Sequence, residues 1–487
     1  MEQQVSMEGR RRVNAQATEM SVDKAVGRVL RMQAKLHRWA VTDPGRRFDD
    51  VFNLVHDPAF LALAWDRVRT NTGGRTAGVD GLRPKQMHAG QVSEMLTMIT
   101  DGLKAGDYQP LPVRAVQIPK ANGKVRQLGI PTVADRVVQA SLKLVLEPIF
   151  EADFDPASYG FRPYRRAQDA IAEIHKFTSN PSDYGWVFEA DIKACFDNID
   201  HAYLMERLRE RITDKRVLWL VRAFLKAGIM AEDQITRATR TGTPQGGILS
   251  PLLANIALSG LDKHFRDKWN GYGPDWTRAK LRRQGQPLMR LVRYADDFVV
   301  LVHGDRSDAE ALFEEVTGVL APAGLSLSAE KTRIVHIDEG FDFLGWRIQR
   351  RTKRGTLRRV VYTYPSKKAL NAIIERIRVL TRRNRHATLA ALLAWLNPTI
   401  KGWCGYYQHG VSKATFTYVD HYVFWRVIGW LLKRHPKLNK HTVIRRYAPG
   451  WHIASQGREL FRAWQVPVTR YQYRGNRIPT PWGMPTG

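Results

Sequence analysis

Apolar residues alternate with polar ones in several short runs through the middle of the chain, and recur every three or four residues towards its two ends. The first pattern predicts strands and the second helices. Residues 1 to about 19 are polar and are expected to be loose; Val22, Val26, Val29 and Leu30 then follow helical spacing and predict a first helix. The Gly-rich stretch "NTGGRTAGVDG" at 71–81 reads as a loop. In "VRAVQIPKANGKVRQLGIPT", 113–132, two β-rich runs flank Ala121-Asn122-Gly123, which predicts a hairpin with an Asn-Gly turn. Residues 133–179 read as mostly helical, broken by "DPASYGFRPYRRAQDAI", and are followed by a strand at 185–192 and a helix from about His201. "TGTPQGGILSPLLANIAL", 241–258, is a Gly/Pro loop opening into an apolar helix, and "FDFLGWRIQRRTKRGTLRRVVYTY" predicts a hairpin with a very basic tip. From Lys367 the spacing turns helical: Leu370, Ile373, Ile374, Ile377 and Leu380 make one stripe, with Arg376, Arg378, Arg382 and Arg383 mostly off it. A second helix is expected to end near Asn397-Pro398, and a third to run through about Asp420 to Lys433. No internal repeat is present.

One strand pair carries chemistry. In "RLVRYADDFVVLVHG", 290–304, Leu291–Tyr294 and Phe298–Val302 read as strands, with Ala295-Asp296-Asp297 as the tight turn between them. Two like charges ~4 Å apart cost about 1 kcal/mol in water and about 4 kcal/mol at an effective dielectric of about 20. A divalent cation would offset that cost; a solvated turn is the plainer alternative, since Asp favours turns. A third carboxylate bears on the choice. In "WVFEADIKACFDNID", alternation puts Trp186, Phe188, Ala190 and Ile192 on one strand face and Asp191 on the other, near the strand end. Asp197 and Asp200 read as turn and helix N-cap residues. If Asp191 lies beside the hairpin, three carboxylates converge and can hold two Mg²⁺ ions ~3.5–4 Å apart for in-line phosphoryl transfer. One ion would activate a primer 3′-oxygen and the other would take the charge on the leaving pyrophosphate.

Composition narrows the partner. The chain has 487 residues, enough for two to four domains, and a globular 44% hydrophobic content. Lys plus Arg number 76 and Asp plus Glu 47, so the net charge is +29, which calls for an anionic partner, nucleic acid first. Two cysteines, Cys195 and Cys404, exclude a disulfide framework and a Cys₄ zinc site. No apolar run approaches the ~18 residues of a membrane span. Arg10-Arg11-Arg12 has no apolar stretch behind it, and Glu2, Glu8 and Glu19 argue against a transit peptide. A cytoplasmic, bacterial-type intracellular protein with no membrane partner is expected.

Tyr294-Ala295-Asp296-Asp297 has the YADD form of a polymerase motif, and 188–196 resembles its partner motif. In order along the chain stand "GVDG" at 78–81, "QIPKANGKVRQLGIPTVADRVVQ" at 117–139, "SYGFRP" at 158–163, "PQGGILSPLLANI" at 244–256, "FDFLGW" at 341–346 and "KGWCGYYQHG" at 401–410. Over roughly residues 20–450 the chain resembles the group II intron reverse transcriptase/maturase family. The resemblance implies an α+β fold: a right-hand polymerase with fingers and a palm built on an antiparallel sheet, followed by an α-helical thumb and a basic C-terminal region. It divides the chain into an N-terminal helical extension (1–70), fingers (71–165), palm (166–365), thumb or maturase domain (366–435) and a basic tail (436–487).

By the same resemblance Asp191, Asp296 and Asp297 are catalytic, and with Ile192 they bind two Mg²⁺ ions, which Mn²⁺ can replace. Arg114, Lys120, Arg126, Phe196 and Gln245 would bind the nucleotide; Arg162, Tyr294 and Gly246 would contact template and primer. An aromatic ring at Phe196 leaves no room for a ribose 2′-hydroxyl and so favours deoxynucleotides. The Gly-Gly after Gln245 lets backbone approach a substrate. Trp403, Tyr406 and Tyr407 read as bundle packing rather than base stacking. The run Arg350-Arg351-Lys353-Arg354 with Arg358-Arg359 is either a solvated face or an RNA contact, and Lys433, Arg434, Lys437, Lys440, Arg445 and Arg446 form a candidate DNA- or intron-binding tail. Many relatives end in an HNH endonuclease with paired cysteines; no cysteine follows Cys404, so that domain is expected to be absent and the primer to come from elsewhere. The implied function is RNA-directed DNA synthesis with intron-splicing assistance and mobility; the implied partners are intron RNA, an RNA template with a DNA primer, dNTPs and target DNA. The alternatives are an RNA-binding splicing factor without polymerase activity, or a reverse transcriptase taken into defence or repair.

Overall fold

The first helix, α1 (Val22–Thr42), forms where spacing predicts it, yet its buried face is different. In this computed structural model, which describes residues 22–119, 125–227, 229–230, 236–237, 242 and 246–483, Val22 and Leu30 are exposed. Ala25, Val29, Gln33, Leu36, His37 and Ala40 are the buried positions. Two polar residues join that stripe because each finds a backbone acceptor. Gln33 Nε2 donates to Leu144 O at 2.7 Å, and His37 Nδ1 lies 3.0 Å from Pro148 O. The expected loose segment ahead of α1 lies outside the described residues.

Helix α1 packs with α2 (Pro58–Thr70), and α3 (Ala89–Ala105) packs on the later helix at 133–151. The hairpin of β1 (Val113–Pro119) and β2 (Val125–Ile130) forms as expected, in register from Arg114 opposite Ile130 to Pro119 opposite Val125. Its Asn-Gly turn lies outside the described residues. Helix α4 (Val133–Glu151) is buried on nearly every side, so its polar residues all need partners. Arg136 donates to the carbonyls of Pro131, Gly73 and Thr76, and Val133 N donates to Asp80 Oδ2 at 3.1 Å. The "GVDG" stretch thus caps α4.

Helix α5 (Ala167–Thr178) precedes β3 (Trp186–Asp191), α6 (His201–Arg209) and α7 (Lys215–Lys226). Short strands β4 (Ile229–Met230) and β5 (Thr236–Arg237) extend the first hairpin in the order β2-β1-β4-β5. After α8 (Ser250–Gly271) come β6 (Leu288–Tyr294), β7 (Asp297–His303), α9 (Arg306–Leu320) and β8 (Arg333–His336). The central sheet has the order β6-β7-β3-β8, every neighbour antiparallel. Its alternating side chains feed two cores. Phe188, Ala190, Phe298, Val300 and Val302 pack with α4, α8 and α9, while Val187, Val292, Val299 and Leu301 pack with α5 and the C-terminal helices. Each fully buried Val, Leu or Phe contributes about 1.5–3 kcal/mol, so the strand ends between the cores are rigidly placed.

The second basic hairpin is in fact part of a three-stranded sheet of β9 (Phe341–Phe343), β10 (Trp346–Thr352) and β11 (Arg359–Pro365), in the order β11-β10-β9. Helix α10 (Lys367–Arg383) buries Ile373, Ile374 and Ile377, as its stripe predicts. The expected end near Pro398 is wrong: α11 runs Leu389–Tyr407 straight through it. Pro removes one backbone donor and crowds the carbonyl four residues earlier, but Leu392, Leu393 and Leu396 before it and Ile400, Cys404 and Tyr407 after it are all buried on one face. That packing outweighs the local cost. Helix α12 (Lys413–Arg434) starts earlier than expected, and α13 (Lys440–Tyr447) follows. The chain then turns back across the molecule: Tyr471 Oη and Arg474 donate to Asp169 at the start of α5, and Trp482 Nε1 donates to Gln33 Oε1 of α1. The fold is α+β, and its sheets are antiparallel except where β1 pairs with β4 in parallel. Among the described residues no helix is long and apolar enough to cross a membrane.

Candidate active site

Register sets the tip of the β6–β7 hairpin. Tyr294 pairs with Asp297, so only Ala295 and Asp296 make the turn and Asp297 is the first residue of β7. The three-residue turn expected from sequence is one residue too long. Ala295 takes φ +60°, a left-handed conformation that costs a non-glycine residue roughly 1–2 kcal/mol. Two supports hold it. A Cβ on Gly160 would sit 2.2 Å from Ala295 N, so the "SYGFRP" backbone lies flush against the turn. Arg293, fully buried, donates through Nη1 to Ala295 O at 2.8 Å and to Asn255 Oδ1 at 3.0 Å, while Nε and Nη2 fork onto Asp262. Asn255 Nδ2 in turn donates to Gly160 O at 2.9 Å. "SYGFRP" and "SPLLANI" therefore clamp the turn from behind.

Asp191, the last residue of β3, stands directly opposite Asp297 in the ladder. Opposed residues in an antiparallel pair have Cα atoms ~4.5–5.5 Å apart, so Asp191, Asp297 and the turn residue Asp296 share one end of the sheet. Desolvation, then the charges of Asp296 and Asp191, push Asp297 up to about 6, although the residue keeps solvent contact at the strand end; Lys331 and Lys368 pull the other way. The Lys331 ammonium pairs with Asp191 Oδ2, and its pKa is raised by that hydrogen bond and by all three carboxylates. Its segment is zipped to the strand end: Ser328 N donates to Asp191 O at 2.8 Å, and Ile192 bridges to Leu327. Among the described residues no three His, Cys, Asp or Glu side chains already close round one ion. Carboxylate oxygens are nevertheless what Mg²⁺ takes, and that ion uses one or two protein carboxylates plus waters and substrate phosphates rather than a finished cage. The donor set fits. Cys195, beneath it, is buried; burial and then Asp296 push its thiol up to about 12, so it is inert.

Phe196 lies in the short helix Cys195–Asn198, almost buried, with its ring edge-to-face on Phe161 at 6.4 Å. Asp200 caps α6 by accepting from Tyr203 N, as its position predicts, and Asp197 lies in that same short helix. Arg162 is a correction. Its guanidinium forks onto Glu151 and donates to the carbonyls of Asp155 and Ser158, inside the protein, so it anchors the loop and offers nothing to a template. Arg114 donates from Nε and Nη2 to Ala77 O. Gly246 takes φ +114°, and a Cβ there would meet Gly129 O at 2.7 Å; its close approach is to β2. Lys120, Gln245 and the Arg126 side chain lie outside the described residues, although the Arg126 backbone pairs with Ile118. Tyr294 is half-buried beside Asp297. Trp403, Tyr406 and Tyr407 pack as expected, the two tyrosine hydroxyls donating to Leu344 O and Gly345 O. In the basic run, Arg350 and Arg359 pair with Asp338, while Lys353, Arg354 and Arg358 form an exposed tip. Sequence reasoning missed Gly160, Asn255, Asp262, Arg293 and Lys331. Arg293 did leave a signal, a charge inside an apolar strand.

Comparison with known proteins places this geometry in context. Residues 118–348 match the family described as reverse transcriptase (RNA-dependent DNA polymerase), and residues 370–448 match the group II intron maturase-specific domain. Protein YkfC of Escherichia coli is 40% identical over 357 residues, 70% of this chain and 93% of that one. The group II intron-encoded protein LtrA of Lactococcus lactis is 32% identical over 380 residues, 67% of this chain and 61% of that one. A 91 kDa protein in the cob intron of Schizosaccharomyces pombe is 29% identical over 459 residues, 82% and 56% of the two chains.

Proposed function

Since the chain belongs to the group II intron reverse transcriptase/maturase family, we propose that it is an RNA-directed DNA polymerase that copies intron RNA and also binds that RNA to assist splicing and mobility. The observation that supports the polymerase reading is the ladder register pairing Asp191 with Asp297, one residue beyond the turn aspartate Asp296. In this reading the sheet of β3 and β6–β8 is the palm, the β1–β2 hairpin belongs to the fingers, and α10–α12 form the thumb, followed by a basic tail.

Asp191, Asp296, Asp297 and the Ile192 carbonyl would hold two Mg²⁺ ions, which supply charge stabilisation for phosphoryl transfer. The protein's own residues do the remaining work. The clamped turn fixes the carboxylates before substrate arrives, so little reorganisation is left for the reaction. Lys331 neutralises part of their charge while no substrate is bound. Phe196 excludes a 2′-hydroxyl, Gln245 lines the nucleotide, Gly246 and Tyr294 contact template and primer, and Arg114, Lys120 and Arg126 close on the triphosphate. Arg114 must leave Ala77 O to do so. Splicing assistance needs only a basic surface on folded RNA, so it is a binding function with no second active site.

The test is primer extension on an RNA template, run beside an intron-splicing assay, for the wild type and Asp296→Ala. Extension should be abolished and splicing largely kept. Full retention of extension would remove Asp296 from catalysis, and an inactive wild type that still promotes splicing would support the splicing-factor alternative.

A further inference from the structure

We infer that Phe161 is a positioning residue for sugar selection: it fixes the place of the Phe196 ring. The inference rests on Phe196 being the sugar gate. Phe161 takes φ +59° and is 48% exposed as a residue. A large apolar side chain on strained backbone, half in water, adds little to a core; strain retained at such a site points to use. What retains it is visible on both sides. Gly160 is pressed against the Ala295 backbone, and Arg162 is tied to Glu151 and to two carbonyls of its own loop. Phe161 is pinned between them, and it presents the edge-to-face contact to Phe196, with ring planes 75° apart.

Phe196 needs such a prop. Its backbone is held from the other side, where Gly242 N donates to Ile199 O at 2.8 Å and a Cβ on Gly242 would meet Phe196 O at 2.6 Å. Its ring is 8% exposed at the margin of the core, and Phe161 is the aromatic side chain in edge contact with it. A gate that turns aside admits the 2′-hydroxyl it should exclude, and discrimination on steric grounds is only as good as the stiffness of the wall. Because the same loop clamps the Ala295 turn, the gate and the carboxylates are referenced to one rigid piece of backbone.

The experiment measures kcat and KM for a dNTP and the matching rNTP in primer extension by the full-length protein. Phe161→Ala should lower the dNTP-over-rNTP ratio of kcat/KM by roughly two- to twelve-fold, the worth of one edge-to-face pair, mainly through a lower rNTP KM, with dNTP kcat nearly unchanged. Phe161→Tyr should restore the ratio. Phe161→Asn removes the ring with a residue that tolerates left-handed backbone and should match Phe161→Ala, which separates ring loss from misfolding. In Phe196→Ala the further change Phe161→Ala should have no added effect, since the pair acts as a unit. Wild-type discrimination in both Phe161→Ala and Phe161→Asn, with discrimination lost in Phe196→Ala, overturns the inference. So does an equal loss of dNTP and rNTP use. Unchanged discrimination in Phe196→Ala instead removes the gate itself.

Discussion

At the scale of single residues, the site depends on contacts made behind it. Gly160 has no room for a methyl group, since a Cβ would lie 2.2 Å from Ala295 N and 2.9 Å from Ala295 Cα, both backbone atoms that cannot swing aside. Gly160→Ala should therefore move the turn, lowering primer-extension activity by at least an order of magnitude, while circular dichroism still reports a folded chain; unchanged activity would show that the clamp is not needed. Asp297 gives a second expectation. Its folded pKa of about 6 lies above the ordinary value of 3.8, so the folded state holds the proton more tightly. Ionising it therefore weakens the fold, a penalty that is absent below about pH 4, grows as pH rises through 6, and is full above it. Asp297→Asn should raise the melting temperature of the metal-free protein at pH 8, with the gain shrinking as pH falls through 6. A gain that grows towards acid would contradict a raised Asp297 pKa, whether desolvation or the neighbouring carboxylates raise it. Added Mg²⁺ should favour the wild type in the same assay.

Elements follow packing where packing and local preference conflict. Helix α11 continues through Pro398 because both halves bury their Leu, Ile and Tyr residues on one side, while Pro398 itself faces solvent. Pro398→Ala should restore the missing donor and stabilise the protein by up to about 3 kcal/mol, read as a higher melting temperature; a lower one would mean the helix needs a kink there. This conflict also explains how far the sequence could be read. Short apolar runs bounded by polar residues located β3 and β7 to within one residue at each end and the end of β6, while β6 begins three residues earlier than expected, at Leu288. Three carboxylates could be named in advance, because charges inside such runs stand out. The buried face of α1 could not, since Gln33 and His37 count as polar until Leu144 O and Pro148 O are placed beside them. Arg162 was misassigned for the related reason that a conspicuous cation says nothing about a carboxylate, Glu151, standing eleven residues earlier. Lys331 was missed because its partner is 140 residues away.

For the whole molecule the question is where the net charge of +29 acts. Part of the basic content is structural: Arg136, Arg162, Arg211 and Arg293 are buried on carbonyls and carboxylates and are closed to RNA. The exposed tip of Lys353, Arg354 and Arg358 is different, reaching solvent at the end of a stiff β10–β11 hairpin. Binding of a structured intron RNA should lose roughly 10³–10⁵ in affinity between about 50 and 200 mM salt if ~6–10 phosphates are contacted. Replacing the three tip cations by Gln should weaken binding at low salt and flatten the log–log salt plot by about one unit for each phosphate contact removed. Arg293→Met should behave otherwise. It leaves Asp262 buried without its partner, which costs about 3–5 kcal/mol of stability, yet it removes no phosphate contact. Its salt slope, measured on the fraction still folded, should equal that of the wild type. Filter binding across a salt series with the three proteins separates the two classes of arginine, and a tip variant with the wild-type slope would remove that hairpin from the RNA-binding surface.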